Sequence, residues 1–256
     1  MRIETTCVQD RQPAALVTHR VRGRYPPNLA RHAWTGCMAL ARARNRRTAR
    51  PEGARVTEQP RPKAVPLRIE LLEVVPLVWR RVLVADHWTL ASLHQYLQWV
   101  IGWTDSHAHE FQVGDGLVAP DWWIQEAGSD GDAGRYSDER RISVAAVVSE
   151  LGAHGEFEYR YDMGDGWEHR IVIESLPIST VSDPRLPVCV AGENACPPED
   201  VGGPHGYALF LEILADRQHE QHDDMVRWNG GVFDPKGFDL NRINRDWKGA
   251  KRRRPG

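Results

Sequence analysis

The stretch EFEYRYDMGDGWEHRIVIE, residues 156–174, constrains the fold most. Phe157, Tyr159 and Tyr161 alternate with Glu156, Glu158 and Arg160. Past Gly164-Asp165-Gly166, Trp167, His169, Ile171 and Ile173 alternate with Glu168, Arg170 and Glu174. Period-two patterning on both sides of a glycine-rich turn predicts a β-hairpin, with glycine supplying positive φ. One face of that hairpin is aromatic and apolar, so it must be covered.

The neighbouring segments supply a sheet and its cover. LRIELLEVV (67–75) reads as a strand, Pro76 interrupts it, and VWRRVLV (78–84) resumes as a second strand. Leu90, Leu93, Leu97, Val100 and Ile101 recur at helical spacing, with Thr89 as N-cap and Gly102 as stop. HEFQV (109–113) returns as a strand, 128–135 is a polar loop, and 177–203 reads as irregular. A helix starts near Pro204, with shorter ones at 217–228 and 239–247. The strands look hairpin-linked. The expected architecture is therefore α+β, an antiparallel or mixed sheet with helices packed on one face. Trp79, Trp88, Trp99, Trp103 and Trp167 are expected to build the core, and His94 to be a satisfied buried histidine.

Charge divides the chain. Residues 1–65 hold fourteen Lys and Arg against four Asp and Glu, and 248–256 add five more cations. The overall net charge of -2 therefore leaves -17 on residues 66–247. An acidic body repels a phosphate backbone, so contact with nucleic acid is expected only through the basic arm 1–65. That arm, rich in Arg and Pro without apolar periodicity, is expected to be disordered; 66–247 is the folded domain and 248–256 a basic tail. No stretch reaches the length of a membrane helix, and the start lacks a secretory core. The expectation is a cytoplasmic protein with reduced thiols at Cys7, Cys37, Cys189 and Cys196, without a membrane partner and with a protein partner possible.

Several motifs fail on spacing. Cys189 and Cys196 are too far apart for a zinc knuckle, and His219-Glu220-Gln221-His222 is one residue short of a zinc-protease helix. His154-Gly155-Glu156 lacks the Pro-Cys-x-x-Cys that a zinc deaminase requires. In PPEDVGGPHGY, Gly202 and Gly203 open a helix, but Glu199 and Asp200 would repel phosphate and are read instead as partners of Arg80 or Arg81.

A polar cluster remains. His107, His109, Asp162 and His169 form a mixed N and O donor set suited to a divalent metal, with Glu110 or Asp165 as the base of a metal-dependent hydrolase. The competing reading makes His169 a core histidine, because it alternates with Trp167 and Ile171, and makes Asp162 and Asp165 turn caps.

Four segments carry a resemblance: VPLVWRRVLV (75–84), TLASLHQYLQWVIGWTDSHAHEF (89–111), YRYDMGDGWEHRI (159–171) and CPPEDVGGPHGY (196–207). In this order they resemble the plasmid pRi ORF-3-like family, some members of which are labelled TnpR-like passenger proteins of insertion elements. Ala108 departs from the family's Ser-His-Leu-His pattern. The resemblance implies a bacterial or archaeal α+β protein often carried on mobile DNA, and supplies no reaction. The chain lacks a recombinase context, since its His-x-x-Arg, His19 to Arg22, lies in the basic arm. The leading expectation is an accessory or interaction module; the alternative is the metal-dependent enzyme.

Overall fold

The computed structural model describes residues 62–127, 135–175 and 186–253, all within one compact unit spanning 57–256. The arm reading for 1–61, and all but the last residue of the polar loop, fall outside the described residues.

Eight strands form one sheet in the order β5-β4-β3-β6-β7-β1-β2-β8. The strands are β1 (Ala64–Leu71), β2 (Trp79–Ala85), β3 (His109–Val113), β4 (Gly116–Ala119), β5 (Tyr136–Asp138), β6 (Glu156–Tyr161), β7 (Trp167–Ile173) and β8 (Val188–Glu193). All pairings are antiparallel except β4 with β5, so the sheet is mixed and the fold α+β. The helices are α1 (Leu90–Ile101), α2 (Asp121–Ala127), α3 (Val144–Leu151), α4 (Gly203–Ala215), α5 (His222–Trp228) and α6 (Leu240–Arg253). β1 starts two residues before the expected boundary at Pro66, and α6 continues into the basic segment 248–256.

The hairpin forms in the register its alternation demands, with Tyr161 opposite Trp167 and Tyr159 opposite His169. Phe111, Phe157, Tyr159, Ile69, Ile171 and Val82 share the inner face and are buried. Full burial of each such side chain contributes roughly 1.5–3 kcal/mol. Thr89 caps α1 by accepting from Ser92 N, and Gly102 ends it at φ 101°.

The outer face is a ladder of charges. Arg160 meets Glu110, Glu158 and Glu168; Arg170 and Arg68 both hold Glu70; Arg81 holds Glu174 at 2.6 Å. Burial pushes the Glu70 carboxyl up, but the hydrogen bonds and charges of Arg170 and Arg68 outweigh it, so its pKa falls. Trp79 belongs to this face, half-buried, with the Arg68 guanidinium 4.1 Å from its ring centre. It is therefore not a core tryptophan: it sits opposite Glu70, whose side chain points outward.

The segment expected to be irregular contains β8, which pairs with β2 through a register shift between Arg81 and Val82. β8 is an edge strand, and α6 covers it. The Asn244 side-chain oxygen accepts from Cys189 N at 2.9 Å, and its amide donates to Cys189 O at 2.8 Å. One side chain thus takes the place of a neighbouring strand.

Candidate functional site

Three of the four segments that carry the resemblance come together around His107. Three loops meet there: 103–108 after α1, 162–166 at the tip of the β6–β7 hairpin, and 196–202 before α4. Glu199 bolts them together. Its Oε1 accepts from the Tyr161 hydroxyl at 2.6 Å, and its Oε2 accepts from Thr104 N at 3.0 Å and Thr104 Oγ1 at 2.6 Å. Ser106 N donates to Tyr161 Oη at 3.0 Å, and Trp103 Nε1 donates to Pro197 O at 2.9 Å. Burial and Glu199 together raise the Tyr161 pKa, keeping the phenol protonated as donor.

Asp165 joins the third loop from the other side. Its Oδ2 accepts from Gly202 N at 3.0 Å, so a carboxylate of the hairpin occupies the N-terminus of α4. Gly203 has φ 68°, and a Cβ there would lie 2.2 Å from Asp165 O. Gly203 therefore admits the hairpin tip, where a side chain would clash with the Asp165 backbone.

Asp162 has its two oxygens divided between two tasks. Oδ1 accepts from Gly164 N at 3.0 Å and Asp165 N at 3.2 Å, which holds the turn. Oδ2 faces His107 Nε2 at 3.6 Å. Asp200 Oδ1 lies 2.9 Å from the same nitrogen. His107 Nε2 is shielded from solvent yet makes no hydrogen bond of normal geometry. The Asp200 side chain is 70% exposed, so the trio opens to solvent on that side.

A second donor group lies deeper. His94, Asp105 and His109 bring one ligand atom each within 4.8 Å of one another. His94 is held at both nitrogens, by Tyr159 Oη at 2.8 Å and Asp105 Oδ1 at 2.7 Å. Gln98 Nε2 donates to the Tyr159 oxygen at 3.0 Å. With that position filled, the phenol proton goes to His94 Nδ1, and His94 Nε2–H donates to Asp105. Burial raises the Tyr159 pKa far above ordinary, consistent with a phenol that keeps its proton while accepting from Gln98.

His109 Nε2 meets Glu139 Oε2 at 2.8 Å, and its Nδ1 is buried without a partner. Its ring stacks on His94 with centroids 3.4 Å apart and planes 4° from parallel. Lone pairs of imidazole lie in the ring plane, so two parallel planes 3.4 Å apart cannot both aim at one ion. This group is a buried hydrogen-bond network in its present geometry, not a coordination sphere.

The sequence-derived donors are thus divided. His107 and Asp162 come together, with Asp200 as an addition that sequence reasoning missed. His109 belongs to the deeper network with His94 and Asp105. His169 joins neither donor group: it is 1% exposed, its Nδ1 lies 3.1 Å from Tyr159 O, and burial lowers its pKa to about 4. Glu110 points to the outer face, where Tyr136 donates to it at 3.0 Å and Arg160 pairs with it. Asp165 is engaged by α4.

Glu199 and Asp200 do not pair with Arg80 or Arg81. Arg80 is buried, and its five donors go to Trp79 O, Val100 O, Glu193 O, Asn194 O and Cys196 Sγ. Arg81 belongs to Glu174. No helix among the described residues is long and apolar enough to cross a membrane.

Comparison with known proteins gives a consistent result. Residues 63–242 match the family described as plasmid pRiA4b ORF-3-like protein. The chain is 41% identical over 186 residues to the uncharacterized protein y4hQ of Sinorhizobium fredii, covering 71% of this chain and 89% of that protein. The crystal structure of the protein of unknown function MM3350 from Methanosarcina mazei Go1 superposes with a TM-score of 0.60 at 30% identity. That match covers 71% of this chain and 97% of MM3350.

Proposed function

The chain belongs to the plasmid pRiA4b ORF-3-like family, and from that premise we propose that it is a cytoplasmic accessory module encoded with mobile DNA, binding a basic protein segment through the loop surface around His107 and Glu199. The family's description by a plasmid reading frame supports the association with mobile DNA. One observation carries the choice of surface. Glu199 spends its carboxylate on Tyr161 and Thr104, which fixes three loops and leaves Asp200 exposed beside them. A surface held in place before binding loses little entropy on binding. The net charge of -17 on residues 66–247 favours a cationic partner and disfavours a phosphate backbone. Contact with nucleic acid falls to the basic arm 1–65.

The test uses the full-length chain as bait, with identification of retained proteins by mass spectrometry. A specific partner should be lost on Asp200→Lys and at raised salt. Retention of the same partner by Asp200→Lys would overturn the choice of surface. For the arm, salt-dependent duplex binding should vanish when residues 1–65 are deleted, and equal binding by the truncated chain would refute its role.

The metal-dependent hydrolase stands second. His107 between two carboxylates favours it. Its expected bases do not, because Glu110 pairs with Arg160 and Asp165 holds Gly202.

A further inference from the structure

We infer that His107, Asp162 and Asp200 form a binding site for one first-row divalent cation of the zinc class, open to solvent beside Asp200. The inference rests on the His107 loop surface being the working surface.

Three independent loops supply the three donors, so no single turn or helix end brings them together. The spacing fits an ion. Two ligands each about 2.1 Å from a metal at a tetrahedral angle stand about 3.4 Å apart. The distances from His107 Nε2, 2.9 Å to Asp200 and 3.6 Å to Asp162, bracket that value. The imidazole nitrogen has the state a ligand needs: it is shielded from water and makes no hydrogen bond of normal geometry that an ion would have to break.

The supporting bonds orient the ligands. Asp162 Oδ1 is fixed by two backbone N–H groups of the turn, which aims Oδ2 at His107. Asp200 directly follows Glu199, whose side chain is fully engaged with Tyr161 and Thr104. Such outer contacts set the direction of metal ligands. One imidazole with two carboxylates suits zinc or manganese better than calcium, which takes six to eight oxygens. Three protein ligands leave a fourth position, and the exposed side of Asp200 makes it available to water or to a partner's side chain.

Full-length protein is stripped with a chelator, titrated with Zn2+ by calorimetry, and assayed for zinc by elemental mass spectrometry. The expected result is one ion per chain. Affinity should fall at least about tenfold in His107→Ala and in Asp200→Asn. It should be unchanged in His222→Ala, where a partly buried His222 and an exposed Asp223 make a single His–Asp pair at 3.1 Å. Zinc should also raise the unfolding temperature of the wild type and not of Asp200→Asn. Asp200 is exposed, so that variant keeps the fold even where His107→Ala does not. Absence of zinc binding, or equal binding by the wild type and Asp200→Asn, overturns the site. If zinc fails to bind while the protein partner is still captured, the cation inference falls and the binding module stands. If zinc binds and no partner is captured, the module reading falls alone.

Discussion

The imidazole rings of His94 and His109 lie face to face, 3.4 Å between centroids and 4° from parallel. Each ring is tied outward by a carboxylate, Asp105 for His94 and Glu139 for His109. Two imidazolium ions at that separation would repel strongly in a buried site. Burial and the neighbouring His94 both push the His109 pKa down, against the opposing pull of Glu139 and Asp105. The stack and the α1–β3 contact it makes should behave as one unit. A double-mutant cycle of His94→Ala and His109→Ala, read by urea unfolding, should give a coupling energy of about 0.5–3 kcal/mol. Simple additivity would show that the stack carries no stability of its own.

His169 adds an acid sensitivity of its own. Its pKa falls from 6.5 to about 4, chiefly by burial, with Tyr159 O pulling weakly the other way. The unfolded chain therefore takes up the proton first as pH drops. The stabilisation of the neutral ring is fully present above pH 6.5 and is lost as pH falls towards 4, by on the order of 3 kcal/mol. Urea unfolding between pH 7.5 and pH 4.5 should show a shallower decline in His169→Leu than in the wild type. Equal slopes would mean that other groups carry the acid loss.

Two adjacent arginines should differ sharply. Arg80 is buried, with its five donors spread over four carbonyls and the Cys196 sulfur, and its guanidinium lies 4.5 Å from the Phe238 ring centre. Lysine keeps the charge but has three donors and no planar fork. Arg80→Lys should cost about 3 kcal/mol or more, since it strands buried carbonyls and a buried charge. Arg81→Lys, which alters only the part-exposed pair with Glu174, should cost under about 1 kcal/mol. Chemical denaturation of both variants measures the difference, and equal costs would contradict this account of Arg80.

Local patterning carried part of this fold. The β6–β7 hairpin, α1 with its Thr89 cap and Gly102 stop, and β3 at 109–113 were legible because each is fixed by residues within a few positions. The position of α4 was legible for the same reason, through Pro204 at its start. β4, β5 and β8 were not, being short strands whose identity comes from distant partners: β8 exists through β2 and Asn244, more than fifty residues away on either side. At the site, His107 and Asp162 were legible as polar residues next to a turn. Asp200 was missed because the bond that positions its loop, Thr104 to Glu199, joins residues 95 apart. The pairing of Glu199 and Asp200 with Arg80 or Arg81 failed because charge alone does not show that those arginines already have partners. The one available signal was the clustering of carboxylates in the 162–165 and 199–200 motifs.

The most direct measurement is anomalous diffraction from crystals of the full-length chain soaked in Zn2+, with data collected above the zinc absorption edge. The account predicts a peak bonded to His107 Nε2 and to carboxylate oxygens of Asp162 and Asp200, each at about 2.1 Å. A peak at His94, Asp105 and His109 instead, or none beside His107, would contradict it.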